Sequence, residues 1–213
     1  PYSASKASAE LVVKSYINSF FSNDQNYIRI ATARAGNVIG GGDWANFRII
    51  PDCVRSWSQN KAAELRTPNA TRPWQHVLEA ISGYLCLATN LNFNDKIHGE
   101  SFNFGPQISQ KEYSVLKLVK SISLHWNNVD WKIKSKSKKN FYESSLLRLN
   151  CNKAQKILKW KSVLKFNETT EFVSKWYKNF YENPKNIHIT TTEQIKKYHF
   201  LAGQRGLKWV KNF

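Results

Sequence analysis

The first 21 residues carry apolar side chains at helical spacing, at Ala4, Ala7, Leu11, Val12, Tyr16 and Phe20. This period predicts an amphipathic helix from about Ser3 to Phe21. Residues 27–34 alternate apolar and polar side chains, which predicts a strand. A glycine-rich loop, residues 35–44, follows directly. This order is typical of an α/β sheet, in which ligands gather at the carboxyl ends of the strands, so the loop is the natural place for a site.

The same patterns continue along the chain. They predict helices over residues 49–60, 76–91, 112–126, 150–160 and 167–183, and strands over residues 63–75 (with turns), 99–106 and 129–135. Asn167 is the predicted N-cap of the last helix. His76 and Glu79 are predicted to cap or orient the helix that they begin. Beyond about Asn183 the chain is polar and rich in lysine, and no element is predicted there.

Charge and cysteine content narrow the possible functions. The net charge is +17, from 32 Lys and Arg against 15 Asp and Glu, which favours phosphate-bearing ligands or loose binding to nucleic acid. The sequence has no zinc, RRM, KH or helix-turn-helix signature, so a nucleic-acid-binding module is a remote alternative.

Cys53, Cys86 and Cys151 are isolated, which predicts reduced thiols in a cytoplasmic protein and no metal site. No apolar run approaches the length of a membrane helix.

Tyr2 and Lys6 stand four residues apart, so they share one face of the predicted helix. An ammonium close to a phenol stabilises the phenolate, and such a pair can act as a proton acceptor. The alternative interpretation is a helical tyrosine beside a solvated lysine. The triple glycine Gly40–Gly42 does not fit a phosphate-binding loop, because no Lys-Ser/Thr follows it, and the chain has no G-x-G-x-x-G fingerprint.

Five stretches in this order resemble one family: PYSASKASAE, RAGNVIGGGDWA, RIIPD, ATRPWQHVLEAISGYL and FNFGP. Together they resemble the extended short-chain dehydrogenase/reductases, and within them the CDP-glucose 4,6-dehydratases, over about residues 1–182. The resemblance implies an α/β fold: the C-terminal part of a Rossmann-like, doubly wound parallel sheet with a smaller mixed α/β substrate-binding domain. The expected divisions are 1–107 (nucleotide-binding remainder, with a substrate loop at about 37–75), 108–183 (substrate-binding region) and 184–213 (basic tail).

The resemblance also implies roles for single residues. Tyr2 is expected to take the proton from the sugar 4-hydroxyl, and Lys6 to assist it and to bind the nicotinamide ribose. Arg34 is a candidate contact to the cofactor. Candidate substrate contacts are Asn37, Trp44, Arg48, Arg72 and Asn103. The alternatives are that Asn37 holds its loop, that Arg72 makes a structural ion pair and that Trp44 is a core aromatic.

The implied reaction converts CDP-glucose to CDP-4-keto-6-deoxyglucose with NAD as cofactor, by oxidation at C4, loss of water across C5 and C6, and return of hydride to C6. A homodimer is the implied assembly. Another nucleotide-sugar enzyme of the same family, an epimerase or a dTDP- or GDP-sugar dehydratase, is the alternative. The first residue is Pro and the sequence contains no Met. We therefore expect a fragment that lacks the cofactor fingerprint and the elimination acid and base, and that is inactive alone.

Overall fold

The computed structural model describes residues 1–21, 28–107, 113–127, 129–133 and 148–212. Its helices are α1 (Tyr2–Phe20), α2 (Ile49–Ser58), α3 (Val77–Phe93), α4 (Val115–Ser123), α5 (Phe166–Glu182) and α6 (Ile187–Gln204). Its strands are β1 (Thr32–Ala35), β2 (Val38–Ile39), β3 (Ala63–Leu65), β4 (Thr71–Arg72), β5 (Gln75–His76), β6 (Ser101–Phe104), β7 (Tyr113–Ser114) and β8 (Trp131–Ile133). One π-helical segment spans Ala154–Leu158, and short 3-10 turns span Asp95–Ile97, Pro184–Asn186 and Lys208–Asn212.

The strands of the described ranges pair two by two. The pairs β1–β6, β2–β5 and β3–β8 are parallel, and β4–β7 is antiparallel. In the first pair Thr32 lies opposite Ser101 and Ala35 opposite Phe104, so both strands end at the same edge. Helix α3 joins β5 to β6 along the chain, so it connects the β2–β5 pair to the β1–β6 pair. The predicted α/β class is confirmed.

Two apolar clusters form the core. In the first, α2, α4 and α5 pack around side chains such as Val54, Leu118 and Val173. In the second, α3, β6 and α6 pack around Phe104 and Trp160. Both clusters contain residues from either side of position 107, so the division into domains stays a prediction.

Several elements have other bounds in the structure than the sequence predicts. Residue 27 of the strand predicted at 27–34 lies outside the described residues, and the described part forms a strand only from Thr32, as β1. The glycine-rich loop contains the short strand β2, and the helix predicted at 150–160 is largely the π-helical segment. Asn167 is not an N-cap, because α5 already begins at Phe166. The Glu168 side chain accepts the backbone N–H of Lys165 at 2.6 Å and so satisfies a donor at this helix start.

The segment after Asn183, for which the sequence predicts no element, forms α6. Tyr198 and Ala202 on this helix and Trp209 beyond it are buried in the second cluster. None of the helices in the described part of the chain is long and apolar enough to cross a membrane.

His76 and Glu79 behave differently at the start of α3. His76 caps the helix as predicted, since its Nδ1 accepts the N–H of Leu78 at 3.3 Å. Glu79 does not cap the helix but orients it, since its buried carboxylate accepts hydrogen bonds from the N–H groups of Val163 and Leu164 and from the hydroxyl of Tyr198. Glu79 therefore ties α3 to a distant loop and to α6.

Candidate functional site

A cleft of about 490 Å³ lies beside the carboxyl end of β1. Its walls come from the start of α1, the glycine-rich loop, the start of α2 and the segment from β3 to β5. Four residues predicted for the site line this one cavity: Tyr2, Asn37, Arg48 and Arg72. The fold thus brings together positions that are up to 70 residues apart in the sequence.

Tyr2 is the first residue of α1, and its side chain is 74% exposed at the cleft. The Lys6 ammonium lies over the tyrosine ring, 5.6 Å from the ring centroid. Lys6 itself is exposed and is not among the residues that line the cleft. The pair therefore has the shared helix face that its spacing predicts, with the phenol nearer the cavity.

Asn37 holds a left-handed backbone conformation, with φ of 51°. Asparagine tolerates this region better than most residues, which explains its place in the turn between β1 and β2. Its carbonyl accepts the N–H of Gln75 at 3.3 Å. Its buried Oδ1 accepts no hydrogen bond from the described residues. Asn37 therefore holds the loop through its backbone and keeps a side-chain acceptor available at the cleft.

Gln75 fixes the strand ends beneath this turn. Its Nε2 donates to the carbonyl of Gly36 at 3.0 Å and to that of Phe104 at 2.8 Å. These carbonyls lie at the carboxyl ends of β1 and β6, so one buried amide joins the two strands at the edge where Asn37 sits. Sequence reasoning did not single out Gln75, because its role depends on strand pairing.

Asp43 organises the glycine-rich loop from within. Its Oδ1 accepts the N–H of Ala45 at 3.0 Å, and its Oδ2 accepts from Arg48 at 3.0 Å. Both Asp43 and Arg48 line the cleft. The carboxylate thus holds the arginine that the resemblance assigns to substrate.

Arg72 is buried in the cleft wall, with 9% of the residue exposed. Its Nη1 donates to the carbonyl of Thr71 at 2.8 Å. A guanidinium has five donors in a planar fork, a geometry that suits two-point contact with phosphate oxygens.

Two rim residues were missed by sequence reasoning. Phe47 is 81% exposed and has a φ of 64°, an uncommon conformation for a bulky side chain. The Arg66 guanidinium lies 5.2 Å from the centroid of its ring, within cation–π distance. Neither residue belongs to a spacing motif, since Phe47 precedes α2 and Arg66 follows β3.

Arg34, Asn103 and Trp44 lie outside the cleft, as the residues lining it show. Arg34 forms a two-point ion pair with Glu10 of α1, which holds the pKa of that carboxyl below its usual value. It also donates to Asn103, 3.3 Å away. Trp44 packs edge-on against Tyr177, with centroids 5.3 Å apart. The structure gives all three residues structural contacts, and their ligand roles stay predictions.

The cysteines contribute no reactive group to the described site. Burial raises the pKa of Cys53 to about 12 and the pKa values of Cys86 and Cys151 to about 11, so all three thiols stay protonated at neutral pH. No cluster of three His, Cys, Asp or Glu side chains that could hold a metal ion occurs within the described ranges.

Comparison with known proteins gives a consistent result. Residues 1–105 match the model of the NAD-dependent epimerase/dehydratase family. The curated CDP-glucose 4,6-dehydratase of Salmonella typhimurium is 37% identical over 202 residues, which cover 93% of this chain and 55% of that protein. The chain thus spans about half the length of the curated relative that it matches.

Solved structures give the same fold. UDP-glucuronic acid 4-epimerase from Bacillus cereus, in complex with UDP-glucuronic acid and NAD, superposes with a TM-score of 0.67 at 19% identity, over 84% of this chain and 53% of its own. dTDP-glucose 4,6-dehydratase from Bacillus anthracis, in complex with NAD, gives a TM-score of 0.62 at 19% identity, over 88% of this chain and 55% of its own.

Proposed function

We propose that the chain, whose residues 1–105 match the NAD-dependent epimerase/dehydratase family, acts in the 4,6-dehydration of a nucleotide sugar, with CDP-glucose as the substrate. One observation carries the proposal: Tyr2, Asn37, Arg48 and Arg72 line a single cleft. The similarity to a CDP-glucose 4,6-dehydratase favours cytosine as the base of the nucleotide.

The arginines suit the diphosphate of such a substrate. Arg48, Arg66 and Arg72 all line the cleft, and guanidinium groups bind phosphate oxygens through short, charge-assisted hydrogen bonds. Arg72 is the most buried of them and is held by the carbonyl of Thr71. Its donors are therefore pre-oriented, which lowers the entropic cost of binding a phosphate group.

The Tyr2–Lys6 pair fits the nicotinamide ribose end of NAD, because a hydroxyl and an ammonium lie together on one exposed helix face. When bound, NAD⁺ would accept hydride from sugar C4 and return it to C6. Tyr2 would take the proton from the sugar 4-hydroxyl, and Lys6 would stabilise the resulting phenolate. The 213 residues contain no G-x-G-x-x-G fingerprint, so we assign none of them to the cofactor pyrophosphate, and none to the elimination step.

Titration of the 213-residue chain with CDP-glucose and dTDP-glucose tests the substrate. We expect CDP-glucose to bind about tenfold more tightly, the effect of roughly one base-specific hydrogen bond. Arg72→Lys should weaken CDP-glucose binding about tenfold, because lysine cannot present the planar fork. Arg29→Lys, an exchange at the partner of Asp95 outside the cleft, is the matched control and should change nothing. Equal affinity for both nucleotide sugars would favour another enzyme of the family, and no binding would refute the proposal.

We propose in addition that α1 contributes to a homodimer. Leu11, Val12, Tyr16 and Phe20 on this helix are each more than half exposed, an unusual concentration of apolar surface. Sedimentation velocity should show a dimer that Leu11→Lys dissociates. Leu124→Lys, at a still more exposed leucine that forms the C-cap of α4, should leave it intact. A monomeric wild-type chain at micromolar concentration would contradict this assembly.

A further inference from the structure

The glycine-rich loop is held by a helix far away in the sequence. The Tyr177 hydroxyl on α5 donates to the carbonyl of Asp43 at 2.7 Å. Burial raises the pKa of this hydroxyl well above its ordinary value, so the group remains a donor at all physiological pH values. The carbonyl of the next loop residue, Trp44, accepts from Arg55 of α2 at 2.8 Å. Two consecutive loop carbonyls are thus fixed by side chains of two different helices.

Aromatic packing fixes the same loop from the side. The Trp44 ring lies 4.7 Å from that of Phe180 and 5.3 Å from that of Tyr177, measured between centroids. The Trp176 indole lies so close to Gly41 that a Cβ atom there would fall 1.9 Å from one of its ring carbons. Helix α5 therefore presents a wall of aromatic rings on which the loop main chain rests.

The contact reaches the cleft through Asp43. The residue whose carbonyl Tyr177 holds is the one whose carboxylate accepts from Arg48 and from the N–H of Ala45. A shift of the main chain at position 43 would therefore move the carboxylate, and with it the guanidinium that it holds. Positional errors of about 1 Å are enough to impair binding or catalysis strongly.

From this geometry we infer that Tyr177 is a positioning residue for the cleft: through the Asp43 carbonyl it sets the place of Arg48, and so the grip of the cleft on the diphosphate of its ligand. The inference rests on the proposed function. It extends the site to α5, which lies outside the residues matched by the family model. Tyr177 contacts the loop and is not among the residues that line the cleft, and its hydroxyl acts through Asp43.

Helix α6 gives the wall its own support. The Trp176 indole N–H donates to the Thr191 hydroxyl at 2.8 Å, and Asn179 donates to Thr190 at 3.1 Å. Gln194 donates to the carbonyl of Phe172 at 2.7 Å. These bonds fasten α6 along α5, so the segment expected from sequence to be a basic tail braces the helix that carries Tyr177.

The test compares Tyr177→Phe with Tyr198→Phe in the 213-residue chain. Each change removes one buried hydroxyl that makes a hydrogen bond of 2.7–2.8 Å and keeps the ring, but Tyr198 contacts Glu79 and Ser82 instead of the loop. Two quantities are measured: amide hydrogen exchange of residues 41–48 by mass spectrometry, and the Kd for CDP-glucose by titration. Thermal unfolding of both variants shows that any difference is not a general loss of stability.

We expect Tyr177→Phe to speed exchange in residues 41–48 about tenfold and to raise the Kd about fivefold, and Tyr198→Phe to change neither. Unchanged loop exchange in Tyr177→Phe would overturn the inference even when the wild-type chain binds CDP-glucose, and the proposed function would then stand. Faster exchange with an unchanged Kd would overturn the link to Arg48. Failure of the wild-type chain to bind CDP-glucose would refute the proposed function, and the positioning of Arg48 for this ligand with it.

Discussion

Gly41→Ala is expected to lower the free energy of unfolding by about 3 kcal/mol, the upper range for overpacking in a well-packed site. The added Cβ would fall 1.9 Å, 2.2 Å and 2.4 Å from Cδ2, Cγ and Cε2 of the Trp176 indole. This indole cannot simply turn away, because it stacks on Phe180 with an interplanar angle of 8° and donates to Thr191. The loop must therefore move away from α5. Urea unfolding measures the resulting decrease in the free energy of unfolding.

Two further variants test whether the contact between Gly41 and Trp176 causes the loss of stability. Gly203 lies in α6, and a Cβ atom added there would meet no neighbouring side chain within 4 Å. Gly203→Ala should therefore stabilise the chain by about 0.5–1 kcal/mol through helix propensity. In a Trp176→Ala background, Gly41→Ala should cost less than about 1 kcal/mol, because the clashing atoms are gone. An equal cost in both backgrounds would show that backbone effects, not the indole, determine the need for glycine.

Glu79→Gln should change how stability depends on pH. Burial raises the pKa of Glu79 to about 7, against the opposing effect of the N–H groups of Leu164 and Val163, the Tyr198 hydroxyl and the charge of Arg205. In an unfolded chain the same carboxyl has its ordinary pKa of 4.5. Between pH 4.5 and about pH 7, the folded chain keeps a proton on Glu79 that the unfolded chain has lost. The contribution of Glu79 to the free energy of unfolding therefore falls as the pH rises through this range, by about 3 kcal/mol in all.

The measurement is the difference in free energy of unfolding between wild type and Glu79→Gln, from urea titrations between pH 4 and pH 8. The difference is needed because burial lowers the pKa of His76 to about 4, and its contribution runs the opposite way, lost as the pH falls below about 6.5. Glutamine keeps an acceptor oxygen for the 163–164 amides and does not titrate. A constant difference across this range would contradict the assignment.

Glu171→Gln is the matched control. Its carboxyl pKa is lowered, first by the hydrogen bond from Lys175 and then by the charge of Lys197, with burial opposing. Its contribution is therefore present above the unfolded value of about 4.5 and lost only as the pH falls below it, outside the window of Glu79.

The local pattern of apolar and polar residues was enough to predict a helix or strand where its period was strong. The spacing of α3 and α5 and the alternation in β6 predicted those elements, although the N-cap of α5 is Lys165, two residues before the predicted Asn167. Helix α6 was not predicted, because its sequence IHITTTEQIKKYHFLAGQ mixes β-branched and charged residues. Only Tyr198 and Ala202 in this helix are buried, so it shows no clear apolar period. Its helical state depends on packing against α5, which no local pattern displays.

The residues of the candidate site also fall into those that the sequence predicted and those that depend on long-range contacts. Tyr2, Asn37, Arg48 and Arg72 were predictable because short family motifs contain them, and they do share a cleft. Tyr177 was not, because its part depends on a contact across 134 residues.

Trp44 was predicted as a substrate contact, with a core aromatic as the alternative. Its ring rests against α5, and Phe47 at the rim of the cleft is far more exposed. Which of two nearby aromatic side chains faces solvent is decided by the wall behind the loop.

The Tyr177–Asp43 bond also sets an order of events during synthesis. A ribosome releases Asp43 long before it releases Tyr177, and closing a segment of this length carries an entropic cost that only the packed helices can repay. The glycine-rich loop therefore cannot be anchored until the residues of α5 have been synthesised. Until α5 has folded and packs against α6, the Asp43–Arg48 ion pair lacks the anchor that Tyr177 supplies, so the cleft cannot take its final shape before these two helices do.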